Sequence, residues 1–367
     1  TANITNRPNK NLIINGAMQV AQRGTSSTTS NDYAVDRFKH NFNGTDEAPT
    51  FEQVDVGSSD LPFTKGLTKA LKVTNGNQTG GAGAGDRVRI EHMIEAQNIR
   101  NSGWNYTSSS SYITLSFYVR SSVSQNFYGR LASNDGTAQS YIFETGTLSA
   151  NTWTKITKTV PGNSNITINN DNGIGLIFNI TMFGGTDQTG TVTLNQWATF
   201  DSSVRSPDFS STWYLTNDAT FEITGVQLEV SDVATDFEHR SIGQELALCQ
   251  RYTIAFDLLG SVDNFMVLCQ GRWFSATQAQ CFLPFPNEMR DVGTIDATNT
   301  SAANTFFLNT GGGLAGAAMT SLVVNERSNK GMTFTCENGV SNQTTGLGTS
   351  IYCDHTDDAK LVITAEL

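Results

Sequence analysis

The stretch Tyr112–Val119 reads YITLSFYV, with Ile113, Leu115, Phe117 and Val119 on one face and Tyr112, Thr114, Ser116 and Tyr118 on the other. A period of two is the geometry of a strand with one buried face. The same period runs through Asn126–Ala132, where Phe127, Gly129 and Leu131 share a side, and through Trp153–Val160, which Pro161-Gly162 ends. Gly173–Met182 is apolar enough for burial on both faces. In Phe221–Val230 the set Phe221, Ile223, Val226 and Leu228 changes phase at Gly225, the mark of a bulge. Short strands spaced by turn clusters predict an all-β sandwich or barrel. The polar turn Arg120–Gln125 between the first two runs predicts that they form a hairpin.

The surface chemistry agrees. Charged residues are 16% of the chain, against about 25% in an average domain, and uncharged Asn, Ser, Thr and Gly take their place. Those residues suit turns and solvated strand faces, which excludes a helical bundle. Aromatic residues at 10% supply enough apolar area to exclude disorder. A net charge of −11 and a pI near 4.8 speak against nucleic acid as a partner, because phosphate contacts need clustered Lys and Arg. No run reaches the roughly 20 apolar residues of a membrane span. Thr1-Ala2-Asn3-Ile4-Thr5 has neither the basic region nor the apolar core of a secretory signal.

Helix signals are few. Arg87–Ile99 starts with strand alternation and is expected to end as a helical turn around Glu95–Ile99. Gly243–Tyr252 is the best helix, with Leu246, Cys249 and Gln250 at helical spacing and Glu245 in the first turn. Beyond it come further strands: Phe265–Gln270, Trp273–Ser275, Thr277–Phe282, Thr305–Leu308, Ser321–Asn325, Met332–Cys336 and Lys360–Leu367. Cys249, Cys269, Cys281, Cys336 and Cys353 are odd in number, irregularly spaced and without a CxxC, so buried free thiols of a chain folded in a reducing compartment are expected.

An ordered series of motifs is more specific. It comprises Asn11–Gly24 (NLIINGAMQVAQRG), Asp36-Arg37-Phe38, Arg89-Ile90-Glu91, Phe117–Ser122, Trp153, Phe221–Glu229 (FEITGVQLE), Phe237–Arg240 (FEHR) and Leu246–Tyr252. From about Asn9 to Tyr252 this series resembles bacteriophage tail-fibre and other virion appendage proteins carrying a jelly-roll module similar to carbohydrate-binding domains. The resemblance implies a docking segment at 1–10, a jelly roll at 11–240, a short helical linker at 241–252 and a smaller β-rich C-terminal tip at 253–367. It also implies a homotrimer exposed on the virion, assembled in the host cytoplasm, touching other virion proteins and binding host-surface glycan. Within the motifs, Phe237 is expected to plug the end of the sandwich, and Arg240 or Arg23 to pair with Glu229.

No catalytic constellation is recognisable. The chain has no GxSxG elbow and no HExxH, and no cysteine has an evident histidine partner. Gly80–Gly85 and Gly311–Gly316 lack the GK[ST] ending of a phosphate loop. Asp354–Asp358 groups hard oxygen ligands but reads as a solvated turn, since it lacks the EF-hand pattern. The expectation is therefore a non-enzyme without metal or cofactor. For glycan, aromatic faces stack on pyranose C–H surfaces, which nominates Trp104 and Tyr106, Trp213 and Tyr214, and Trp273, with core packing as the competing role. Trp153 and Trp197 are assigned to the core. The alternatives to adhesion are a capsid decoration or head-fibre protein without a glycan ligand and a surface-polysaccharide depolymerase.

Overall fold

The structure, a computed structural model, describes residues 9–257, 265–309, 317–339, 341–354 and 359–367. Residues 1–8 of the expected docking segment, the Gly311–Gly316 loop and residues 355–358 of the acidic turn lie outside them. The chain divides into two compact units, 1–246 (with Leu367) and 247–366.

The first unit runs β1 (Ser26–Ser27), β2 (Asp32–Val35), β3 (Phe38–Asn43), β4 (Thr50–Asp55), β5 (Lys69–Thr74), β6 (Arg87–Glu95), α1 (Ala96–Arg100), β7 (Tyr112–Ser121) and β8 (Asn126–Ser133). It continues through β9 (Gln139–Thr147), β10 (Thr154–Pro161), β11 (Ile174–Gly184), β12 (Trp197–Thr199), α2 (Thr212–Leu215) and β13 (Thr220–Glu229). These form two antiparallel sheets, ordered β1-β4-β5-β13-β7-β10 and β12-β9-β8-β11-β6-β3-β2. They pack as a jelly-roll-like sandwich, as the strand alternation predicts. Helix α3 (Ile242–Gln250) follows, beginning one residue before the predicted helix.

The predicted hairpin between Tyr112–Val119 and Asn126–Ala132 is not formed. Strand β7 pairs with β10 and β13 in the first sheet, whereas β8 pairs with β9 and β11 in the second. Two strands with one apolar face each can bury those faces side by side or opposite each other, and here they face across the core. Phe117 of β7 packs against Phe143 and Phe178 of the second sheet at 6.3 and 5.7 Å, and Phe127 of β8 meets Phe221 of the first at 4.9 Å. Gly225 is the bulge: its φ is +63° and the β13–β7 register slips between Thr224 and Gln227.

The motif residues tie the start of the unit to its end. Asn11 donates to Val226 O and accepts from Leu228 N, while Asn15 donates to Val20 O and Asp36 O. Two expectations fail here. Arg240 pairs with Glu238 and Glu245, at 3.1 and 3.4 Å, and Glu229 is held by Lys10, Gln227 and Thr235. Arg23 lies with its guanidinium 4.4 Å from the Tyr33 ring. Phe237 packs instead against a satellite cluster with Leu67, Ala70, Tyr118 and Trp153 on the outer side of the first sheet.

The second unit adds β14 (Thr253–Asp257), β15 (Phe265–Trp273), β16 (Gln278–Pro284), β17 (Thr294–Ile295), β18 (Phe307–Leu308) and β19 (Ala317–Ala318). Then come β20 (Ser321–Arg327), β21 (Gly331–Glu337), β22 (Gly348–Asp354) and β23 (Lys360–Thr364). They make one sheet of three, β14-β23-β17, and one of seven, β19-β18-β22-β15-β16-β21-β20. Strand β22 was invisible to periodicity because its polar GTS start reads as a loop, yet it sits between β18 and β15. All five cysteines are buried and none forms a disulfide.

Candidate functional site

Four of the five nominated aromatic rings are core. Trp213 is 0% exposed and its indole N–H donates to Thr220 O at 3.1 Å. Tyr214 stacks on Phe183 at 4.2 Å and donates its hydroxyl to Asp86, a contact that together with burial raises its pKa. Trp104, 3% exposed, donates to Ser111 O, and Trp273, 1% exposed, donates to Asn309 O. Tyr106 is half-buried against Trp104, with Arg100 donating to its hydroxyl. Since the packed rings of Trp104, Trp213, Tyr214 and Trp273 present no free face to a sugar, the aromatic-platform expectation is corrected for them. Trp and Tyr fill cores and line binding faces with the same local sequence, and their turn-rich neighbours gave the wrong impression of exposure. Trp153, assigned to the core, is buried as expected, in the smaller cluster with Leu67, Ala70 and Tyr118 and with the Arg120 guanidinium 4.8 Å from its ring.

A polar groove lies elsewhere, on the outer face of the second sheet. Strand pleating turns Val88 and Ile90 of β6, Leu131 of β8 and Phe178 and Ile180 of β11 into the core. It therefore turns the intervening residues outward. The register lines these up in two rows across the sheet: Asn41, Arg89, Thr181, Tyr128, Glu144, and Lys39, Glu91, Asn179, Arg130, Ile142. The segment 185–211 is closed on itself by Arg205 N to Gln188 O and Gly190 N to Ser206 O, is tied to the second sheet by Asn195 N to Ile142 O, and lends Gln188, Thr189, Arg205 and Ser206 to the groove wall.

Four guanidinium groups converge there, those of Arg87, Arg89, Arg130 and Arg205. Arg87 donates to Asn41 Oδ1 at 2.7 Å, Arg89 pairs with Glu91 at 3.1 Å, and Arg205 donates to Ser202 O at 3.0 Å. Glu91 is further held by Asn179 Nδ2 at 3.3 Å. Arg130 is different. It is 6% exposed, its Cζ lies 4.8 Å from the Phe200 ring, and its Nε and Nη1 have no hydrogen-bond partner among the described residues. Burial, then the like charges of Arg89 and Arg205, push its pKa down to about 10. Burial also lowers Arg89 and Arg205, with Glu91 opposing in both. Sequence reasoning missed this site. Its signal was Arg87, Arg89 and Glu91 on alternate positions of one strand, a charged face in a charge-poor chain.

No family model matches the sequence, and no curated protein does. Among solved structures, the enzymatically active domain of tailspike protein 4 from bacteriophage CBA120 is similar over 61% of this chain and 22% of its own, at 10% identity and a TM-score of 0.33. The chain thus spans about a fifth of that tailspike fragment. A putative sugar binding protein from Bacteroides thetaiotaomicron is similar over 60% of this chain and 100% of its own, at 13% identity and a TM-score of 0.31. The tripod from the baseplate of bacteriophage Tuc2009 is similar over 76% and 85%, at 12% identity and a TM-score of 0.30. Likenesses this distant carry no assignment of ligand or activity.

Proposed function

We propose that this chain is a non-enzymatic subunit of a bacteriophage appendage that binds glycan on the host surface, through the groove on the outer face of its second sheet. The observation that carries the reading is that groove. A hydrogen-bonded sheet presents Asn179, Thr181, Arg87, Arg89 and Arg130 beside the half-buried ring of Tyr128, and the 185–211 segment adds Gln188 and Arg205. Sugar recognition needs such a set of fixed polar side chains with an aromatic edge. The likeness of the Asn11–Gly24, Phe221–Glu229 and Phe237–Arg240 motifs to appendage proteins supports the virion setting. Those motifs are framework, joining the first strands to the last, as an appendage body requires.

The intact chain should be retained by one or more surface polysaccharides in a binding screen, release no reducing ends from them, and show the mass of a trimer by light scattering. A chain retained by none of them would overturn the adhesion reading. Release of reducing ends would replace it with the depolymerase.

A further inference from the structure

Resting on that reading, we infer that the floor of the groove is a seat for one compact oxyanion, so that the glycan is an acidic one held by a carboxylate or sulfate substituent. The first support is charge. Four guanidinium groups line one groove, and Glu91 is the carboxylate that opposes the charges of Arg89, Arg130 and Arg205. The chain as a whole carries −11, so this concentration runs against its general sign. The second support is the state of Arg130. A buried cation keeps its charge only where hydrogen bonds and an opposite charge replace water, and among the described residues its Nε and Nη1 have neither donor target nor salt-bridge partner.

Position and space complete the case. The Phe200 ring is within cation–π distance of two guanidinium groups, 4.8 Å from Arg130 Cζ and 5.6 Å from Arg205 Cζ. Stacking fixes each fork while leaving N–H groups on its rim to donate. The space open to the centre of a water-sized group at the groove floor is about 20 Å³. That admits roughly one such group, so one oxygen of an acidic substituent reaches the floor while the rest of the substituent and the sugar ring stay above. Planar guanidinium forks match carboxylate and sulfate by paired, charge-assisted hydrogen bonds.

The test uses the full chain with glucuronate, inorganic sulfate and glucose as calorimetric probes, and polygalacturonate, dextran sulfate and dextran as retention columns. Saturable binding of glucuronate or sulfate but not glucose is expected, and the two anion arms tell a carboxylated from a sulfated ligand. Arg130→Met should stay folded, because it replaces an unpaired buried charge by a shorter unbranched apolar chain, and should bind the anion about tenfold or more weakly. Arg130→Lys, which keeps charge but loses the fork, should recover only part of the affinity. If the wild type binds neither anion, or if Arg130→Met binds as well as wild type, the inference is overturned. Firm retention of both wild type and Arg130→Met on neutral dextran would overturn it too, while the adhesion reading survived. Sulfate binding with no polysaccharide retained would uphold the seat and sink the adhesion reading. Preference for a single-stranded oligonucleotide over both acidic polysaccharides would overturn the inference in favour of a phosphodiester ligand.

Discussion

The Glu245 carboxylate, in the first turn of α3, accepts the backbone N–H of Asn15 from 230 residues earlier. The same Oε1 receives Arg240 Nη1 at 3.4 Å, and Arg240 also donates to Asn11 O and Ile13 O. One acid thus fastens the opening loop of the sandwich to the segment that leaves it.

Glu245→Gln keeps the shape but removes the charge that Arg240 faces. A loss of about 1–3 kcal/mol is expected, the usual cost of leaving a buried polar group short of its partner. A urea midpoint equal to wild type would refute the fastening role.

Trp213 provides a test of the corrected aromatic assignment. Trp213→Phe loses the bond to Thr220 O and part of the filled volume, so stability should drop by about 1–3 kcal/mol. Retention of the folded variant on polysaccharide should match wild type. Weaker retention at full folding would return Trp213 to the binding surface.

Two buried histidines set an acid limit. Burial pushes His92 down to about 3, with Arg37 adding to it, and pushes His40 down to about 4 against the pull of Asp32. Unfolded, both protonate near 6.5, so below that pH the unfolded chain binds more protons than the folded one. Stability is therefore full above about pH 6.5 and falls as pH drops towards the folded values, each ring contributing a slope of up to about 1.4 kcal/mol per pH unit. Denaturation midpoints taken from neutral pH to about pH 4 should fall accordingly, and His92→Gln should flatten the curve. A midpoint independent of pH over that window would contradict both assignments.

Glu91→Gln removes the carboxylate opposing the groove arginines. About 3 kcal/mol of stability should be lost, the scale seen when one member of a buried ionic cluster is deleted. Sodium sulfate should restore more of the melting temperature in this variant than in wild type. Equal responses to sulfate would argue that Glu91 does not face the arginine cluster.

Strands β7, β8, β10, β11 and β13 were legible because alternation is a local property, and so were the turn at Glu95–Ile99 and the bulge at Gly225, whereas β2–β5, β9 and β22 are not among the strands the sequence predicts. Sheet membership was not. Nothing within Tyr112–Ala132 distinguishes two strands that pair from two that face each other, since both arrangements bury Phe117 and Phe127. The groove was half-legible at best. Arg87, Arg89 and Glu91 announce a charged face, but Arg130 stands alone between Gly129 and Leu131, and Arg205 belongs to a loop. Only the register of β6, β11 and β8 brings them together.

Strand β13, the last of the sandwich in chain order, lies between β5 and β7. During synthesis the first sheet therefore waits with an open slot, two unpaired strand edges on either side of it, until residues 220–229 have left the ribosome. Unpaired edges are templates for wrong pairing with other chains. A message truncated before Thr220 should yield aggregate rather than a partial body, so β13 acts as the keystone that closes the sandwich before the second unit is made.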